Sequence, residues 1–184
     1  MLKLSAKMPF DDLLPLSIGT VTLSDDTPEY MSIIDCPVGT EAKVSEVLKS
    51  AHGMGLPAAN RTTGSAKNRC IWFGKNHLLL GPKPDEALTK VARISDVSDG
   101  YAVLRAEGKD IEAVLARLVP LDLAQTHFKR GHTARTLIQH MHGSLTRVSD
   151  SAFHVIVFRS MAQTLVHDLK RAMISVEARA SLLK

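Results

Sequence analysis

The chain has 184 residues, of which 45% are hydrophobic and 23% are charged, and its mean hydropathy is +0.01. This composition excludes a disordered chain, which has few apolar residues, and a helical membrane protein, whose spans need roughly 18 consecutive apolar residues. The formal net charge is +4, but the basic residues are scattered and only 4% of residues are aromatic, which disfavours a base-stacking surface for nucleic acids.

The redox compartment follows from the cysteines. Cys36 and Cys70 are too few for a disulfide framework, and the first five residues lack the apolar run and cleavage site of a secretory signal. We therefore expect a reduced, cytoplasmic protein. A length of 184 residues favours one domain, or two halves joined closely.

Residues 1–29 are predicted to form an irregular N-terminal arm, because Pro9, Pro15 and Pro28 interrupt any regular element there. Residues 18–23 within the arm are predicted to form one short strand. Such an arm either adds a strand to the edge of a sheet or wraps around a partner, and the sequence leaves both possibilities open.

The following stretch, 30–95, alternates strand and helix patterns. A strand is predicted at 30–34, a helix at 40–50 and a mobile loop at 51–68. Two apolar runs at 70–74 and 77–81 then predict a hairpin, with Asn76 in the left-handed turn position. A second helix is predicted to begin at Pro84, with acidic residues in its first turn.

A similar order returns in 96–184. A strand is predicted at 101–106, and a helix follows whose apolar residues recur at helical spacing until Pro120. Three strands are then predicted at 133–140, 143–148 and 153–159, with turns at Gly143 and at 149–151. Ser160 is predicted to cap a last helix. Its buried face is predicted to carry Ala162, Leu165, Val166, Leu169 and Met173.

This order of elements is typical of two-layer α+β sandwiches of the ferredoxin-like type. We predict an α+β fold with two ferredoxin-like βαββα-type halves that share a core. The predicted organisation is an arm at 1–29 followed by a single domain at 30–184, with its halves at about 30–95 and 96–184.

The search for phosphate and metal sites finds weak patterns. Neither G-x-G-x-x-G nor G-x-x-x-x-G-K-[ST] occurs, and the glycines at 53–55 and 64–67 are interpreted as loop residues. His140 and His142 form H-x-H, which would place both imidazoles on one face of a strand. No third and fourth zinc ligand occurs at a recognisable spacing, so we interpret them as solvent-facing.

No set of catalytic residues is predicted. Cys70 lies in an apolar run, where burial would make its thiol inert, and the serine hydrolase elbow G-x-S-x-G does not occur. The densest basic run, 127–135, either contacts an anionic ligand or an acidic partner, or is a solvated loop. The sequence leaves this choice open.

One segment resembles a known family. Residues 94–108 match the pattern D-x-S-D-G-W/Y-A-x-L-x-x-x-G of the gamma subunit of heterotetrameric sarcosine oxidase, and the agreement continues in order through 120–123, 134–136 and 157–162. Met161 stands where the family usually has Phe. The resemblance assigns structural or interface roles to Ser98, Asp99, Gly100, Tyr101, Asp122, Arg135, Thr136, Arg159 and Ser160.

The resemblance implies an accessory, non-catalytic subunit that binds and stabilises the large alpha subunit, with beta and delta subunits as further partners. The family's complex demethylates sarcosine oxidatively to glycine, reduces oxygen to hydrogen peroxide and passes a one-carbon unit to tetrahydrofolate. FAD, FMN, NAD, tetrahydrofolate and zinc are then expected in the other subunits, and no cofactor or metal on this chain. The implied fold is similar to the folate-binding domain of the glycine-cleavage T protein.

Two alternatives are kept. A stand-alone folate-binding, aminomethyltransferase-like protein of the same fold would need a carboxylate for the pterin and a cysteine-bearing signature, which we do not find. Nucleic-acid binding through 127–135 would show a steep dependence on salt concentration.

Overall fold

The computed structural model describes residues 7–65 and 68–182, which form eleven strands and four α-helices in an α+β architecture with two antiparallel sheets. The predicted α+β class is confirmed. The strands are β1 Leu16–Ile18, β2 Val21–Asp25, β3 Met31–Asp35, β4 Thr62–Gly64, β5 Arg69–Phe73, β6 Asn76–Leu80, β7 Arg93–Asp96, β8 Tyr101–Gly108, β9 Thr133–Ile138, β10 Met141–Ser149 and β11 Ala152–Phe158. The helices are α1 Glu41–His52, α2 Glu86–Thr89, α3 Ile111–Leu115 and α4 Ala162–Ser181.

The first sheet contains five strands in the order β4-β5-β6-β3-β7. Helices α1 and α2 pack on one face of it, where Ile34, Val44 and Leu48 are fully buried. The chain passes through β3, α1, β5, β6, α2 and β7, and β3 lies between β6 and β7. This is the strand order of a ferredoxin-like unit, as the alternating pattern of the first half predicts.

The second sheet contains six strands in the order β1-β2-β8-β11-β10-β9, and α3 and α4 cover one of its faces. Strand β2 precedes the whole first sheet in the chain, yet it pairs with β8 from Val21 opposite Gly108 to Asp25 opposite Leu104. Val21 and Leu23 are buried in the core of this sheet. The N-terminal segment therefore supplies a strand that the second half itself lacks.

The single strand predicted at 18–23 is wrong, because Gly19 and Thr20 form a turn and divide the segment into β1 and β2. Gly19 adopts φ +59, a left-handed conformation that favours glycine. Of the two possibilities for the arm, the structure has the first, because residues 16–25 extend one side of the second sheet by two strands and β1 forms its edge. The domain boundary between residues 29 and 30 stays a prediction.

The two sheets pack face to face, so that four layers follow one another: α3 with α4, the second sheet, the first sheet, and α1 with α2. Between the sheets, Met31, Ile71 and Leu78 meet Val103 and Ile156. Each fully buried aliphatic side chain of this kind stabilises the fold by ~1.5–3 kcal/mol relative to its exposed state. We call the face that each sheet turns towards the other its inner face.

The turn predictions are partly wrong. Gly143 is not in a turn but inside β10, and the turn lies at Gln139, which has φ +53, and His140. A Cβ atom at position 143 would lie 2.6 Å from Ile138 Cδ1 and 2.8 Å from the carbonyl oxygen of Ile156. Glycine is therefore required for close packing at this position.

The first-half hairpin is confirmed, but its turn residue differs. Gly74 has φ +81, whereas Asn76 is in β6 and pairs with Phe73. The loop predicted at 51–68 contains the short strand β4, while Ala66 and Lys67 lie outside the described residues.

Helix α4 is the longest in the described ranges, and the apolar face predicted for it is buried. It follows a 3₁₀ turn, Arg159–Met161, so Ser160 is inside a helical turn and is not the predicted cap. No helix of the described residues is long and apolar enough to cross a membrane.

Candidate functional site

The first sheet does not cover the whole inner face of the second sheet. At the uncovered end, Tyr101 of β8 lies opposite Phe158 of β11, and their rings stack with centroids 5.3 Å apart and planes 21° apart. Phe158 is 46% exposed although it is large and aromatic. This solvent-facing stack is the starting point of the candidate site.

The stack continues to the first sheet. The ring of Phe73, at the end of β5, meets Tyr101 edge-on at 5.6 Å, and the Arg135 guanidinium of β9 lies 4.2 Å from the centroid of the Phe73 ring. A guanidinium over an aromatic face contributes ~0.5–1 kcal/mol at an exposed position. We call Phe73, Tyr101, Phe158, Arg135 and Arg159 the aromatic surface.

Arg159 forms one border of the aromatic surface. Its backbone N–H donates to the carbonyl of Gly100 at 2.9 Å, and its guanidinium donates to the carbonyl of Lys7. The guanidinium also lies 3.8 Å from a carboxylate oxygen of Asp99, which is fully exposed. Because water screens this ion pair, it positions Arg159 but adds little stability.

Further apolar side chains extend the aromatic surface. Leu137 of β9 lies opposite His142 of β10, and both are exposed at the same end of the sheet as Phe158. Met161 is exposed in the turn that follows Phe158. An apolar centre bordered by arginines and polar groups has the composition of a protein–protein interface.

The structure brings together most of the residues that the resemblance singles out. Tyr101, Arg135 and Arg159 belong to the aromatic surface, and Asp99 and Gly100 contact Arg159 directly. Ser160 is exposed in the adjoining turn. These six positions come from three segments that are distant in the sequence, 99–101, 135 and 159–160, and the pairing of the strands brings the segments together.

Ser98 has a structural role away from this surface. Its hydroxyl accepts a hydrogen bond from the backbone N–H of Met31 at 3.0 Å and donates to Asp96 Oδ1 at 2.6 Å. The hydrogen bonds from Ser98 lower the pKa of the Asp96 carboxyl below its usual value. Ser98 therefore joins the turn before β8 to the start of β3.

Asp122 and Thr136 also lie elsewhere. Asp122 Oδ1 accepts a hydrogen bond from the backbone N–H of Ala124, and its Oδ2 lies 3.0 Å from Nδ1 of His127. Thr136 lies opposite Gly143, on the face of the second sheet that the helices cover. The structure gives both positions local structural roles.

Arg147 is an important residue that the sequence analysis missed. Its side chain is 1% exposed and donates to the carbonyls of Phe128, Leu123 and Asp150 and to the Glu112 carboxylate. It thereby holds the connection between α3 and β9 against β10. No sequence pattern distinguishes it from a surface arginine, because its acceptors come from other parts of the chain.

The cysteines and the glycine motifs have structural environments. Burial raises the pKa of Cys70 to about 12, and burial also raises the pKa of Cys36, so neither thiol is an activated nucleophile at neutral pH. Gly53 ends α1 with φ +72, and its N–H donates to the Lys49 carbonyl. Gly53 is thus the C-cap of α1, and this structural role accounts for the glycine without any nucleotide-binding function.

The possible metal pair is divided between two elements. His140 is in the turn and His142 is in β10, so the predicted strand arrangement of the two is wrong. In the described residues, no three His, Cys, Asp or Glu side chains are grouped closely enough to bind a metal ion.

Comparisons with known proteins identify the fold. No protein-family model and no curated protein matches this chain. A chain of the heterotetrameric sarcosine oxidase from Corynebacterium sp. U-96, solved in complex with pyrrole 2-carboxylate, is 21% identical with a TM-score of 0.80. The match covers 94% of this chain and 96% of that one, so this chain has the fold of a sarcosine oxidase subunit.

Two further structures match more distantly. The regulatory subunit of aspartate kinase from Thermus thermophilus is 16% identical, and the match covers 85% of this chain and 99% of that one. The aspartate kinase from Clostridium acetobutylicum is 12% identical, with coverages of 89% and 37%. Both have a TM-score of 0.39, which is too low to support a shared fold.

Proposed function

We propose that this chain is the accessory, non-catalytic gamma subunit of a heterotetrameric sarcosine oxidase and that it binds and stabilises the large alpha subunit. The observation that supports this most is the structural match to a chain of such an enzyme, because it spans nearly the full length of both chains. The ordered motif at 94–108 supports the gamma subunit in particular.

In this proposal the chemistry belongs to the other subunits, in the cytoplasm. They carry FAD, FMN, NAD, tetrahydrofolate and zinc, oxidise sarcosine to glycine, form hydrogen peroxide and pass the one-carbon unit to tetrahydrofolate. The buried thiol of Cys70, with its pKa raised to about 12, is consistent with an accessory role for this chain.

The aromatic surface is the proposed contact with the alpha subunit. Phe158 exposes a ring that would be costly to leave in water, while Arg135 and Arg159 offer guanidinium groups at the border. Aromatic residues and arginines are the side chains that contribute most to the binding energy of protein interfaces.

Co-expression with the alpha, beta and delta chains tests the proposal. We expect the four chains to elute together in size-exclusion chromatography, with one copy of each in native mass spectrometry. A folded chain that elutes alone beside an assembly of the other three would contradict the proposal.

Calorimetric titration with tetrahydrofolate separates the proposal from the stand-alone folate protein. The isolated chain is expected to give no one-to-one binding heat, since the proposed folate site lies in another subunit. Tight one-to-one binding would favour the stand-alone protein.

A further inference from the structure

The space between the two sheets changes character along its length. On β5 the inner face carries Ile71 and then Arg69, and on β11 it carries Ile156 and then His154. The apolar interface thus ends in charged and polar groups at the end opposite the aromatic surface. We call these groups the inter-sheet polar cluster: Asp26, Arg69, Arg105, Glu107, Arg130 and His154.

Arg69 is the most unusual member of this cluster. It is only 7% exposed, and its fully buried Nε has no hydrogen-bond partner in the part of the chain that the structure describes. Among the described residues, Arg69 forms no ion pair with a carboxylate. Leaving a charged group buried without a partner is costly, so this arginine requires either solvent or an anion beside it.

The carboxylates of the cluster contact other members. Glu107 accepts hydrogen bonds from Nε and Nη2 of Arg105 at 3.0 and 2.7 Å. An oxygen of Asp26 lies 2.7 Å from Nε2 of His154, although the two groups are not aligned as a hydrogen bond. Glu107 is thus paired with Arg105, while Asp26 lies beside His154 and forms no ion pair with Arg69.

Positive charges outnumber negative charges around Arg69. Burial lowers the pKa of Arg69 most, and the neighbouring charges of Arg130 and Arg105 lower it further, while only Asp26 raises it. The cluster contains three guanidinium groups and two carboxylates. Such an excess in a partly desolvated space attracts an anion.

The cluster is also accessible from solvent. The side chains of Asp26 and Glu107 are partly exposed, and Arg105 retains some exposure as well. Arg130 is exposed at the surface, and the carbonyl of its neighbour Gly131 accepts a hydrogen bond from the backbone N–H of Thr62 in β4, the strand that pairs with β5 at Arg69. The cluster thus faces solvent at this edge, which is the side from which an ion would approach Arg69.

We propose that Arg69, together with Arg130, binds a small oxyanion between the two sheets. Phosphate and carboxylate share the oxygen geometry that a guanidinium recognises with two parallel hydrogen bonds. The bound anion would connect β5 of the first sheet to the segment before β9 of the second. This inference does not depend on the proposed subunit function.

Thermal unfolding of the full chain tests this proposal. Inorganic phosphate is compared with sodium chloride at equal ionic strength, since general screening affects both equally. We expect Tm to rise with phosphate and then saturate, as linkage requires for one site, and to change little with chloride. A Tm that follows ionic strength alone, with phosphate and with acetate, would overturn the proposal.

Variants locate the effect. Arg69→Gln is expected to abolish the phosphate response, whereas Arg117→Gln, an exposed arginine after α3, is expected to retain it. A full response in Arg69→Gln would contradict the site. The same comparison controls for the general stabilising effect of phosphate on folded proteins.

A second variant keeps the test decisive where Arg69→Gln does not fold. Arg130→Gln changes an exposed side chain, and we expect it to weaken phosphate binding in calorimetry about tenfold, the loss of one charge-assisted hydrogen bond. An unchanged dissociation constant would count against the pair of arginines.

Acetate provides the carboxylate arm of the experiment. A saturable rise of Tm with acetate, absent with phosphate, would identify a carboxylate ligand for the same arginines. If neither ion is bound, only water accompanies Arg69 and the proposal fails.

Discussion

Phe158 stacks one side of its ring on Tyr101 and leaves much of the remainder in solvent. Only 4% of residues in the chain are aromatic, and three of them meet in the aromatic surface. At the scale of single residues, Phe73 belongs to the core between the sheets, whereas the exposed ring of Phe158 is the one that we propose for partner recognition. Ser98 and Arg147 show the opposite case of polar residues with structural roles.

Ser98→Ala is expected to raise the pKa of Asp96 towards its usual value, because two hydrogen bonds to the carboxylate disappear or weaken. In the native protein the pKa of Asp96 is lower in the folded state than in the unfolded state. The stability that this carboxylate contributes is therefore present above pH 3.8 and is lost as the pH falls through the folded pKa. Carboxyl NMR titration measures the pKa of Asp96, and an unchanged value in Ser98→Ala would show that Ser98 does not lower it.

Arg147→Met is expected to lower the free energy of unfolding by about 3 kcal/mol or more, because it leaves buried carbonyls without a donor. Urea unfolding measures the change. Arg117→Met provides the exposed control and should stay within about 0.5 kcal/mol of the native protein. Equal stability of both variants would show that the Arg147 contacts are dispensable.

At the scale of elements, local sequence patterns predicted individual helices and strands well, but they did not predict which distant strands pair. The stripe Ile111, Val114 and Leu115 predicts α3, because its spacing follows from helix geometry alone. The pairing of β2 with β8 joins residues 79 to 87 positions apart, from Asp25 opposite Leu104 to Val21 opposite Gly108, and no local pattern carries that information. For the same reason, the aromatic surface was visible only as scattered motif residues.

Gly143→Ala tests the close packing inside β10. The new methyl would meet Ile138 Cδ1 and the Ile156 carbonyl oxygen, so we expect destabilisation of about 1–3 kcal/mol. Ile138→Val removes the methyl at Cδ1 and is expected to recover part of this loss in the double variant. A Gly143→Ala protein as stable as the native one would favour the turn predicted at this position.

At the scale of the whole molecule, the surfaces of the four layers differ in chemical character. The helices cover the outer faces of the sheets, and the space between the sheets is apolar in its middle. Its two ends differ, with the aromatic surface at one and the inter-sheet polar cluster at the other. Because Phe158 lies at an uncovered end, removal of its ring is expected to weaken the binding of a partner more than it lowers the stability of the fold.

The affinity of this chain for the assembled alpha, beta and delta subunits tests the central claim most directly. We predict that Phe158→Ala weakens binding by about 2 kcal/mol, roughly 30-fold in the dissociation constant, without loss of folding. Ile174→Ala, which alters a similarly exposed apolar residue on α4, is expected to bind like the native chain. Absence of binding by the folded native chain, or equal binding by Phe158→Ala, would contradict the account.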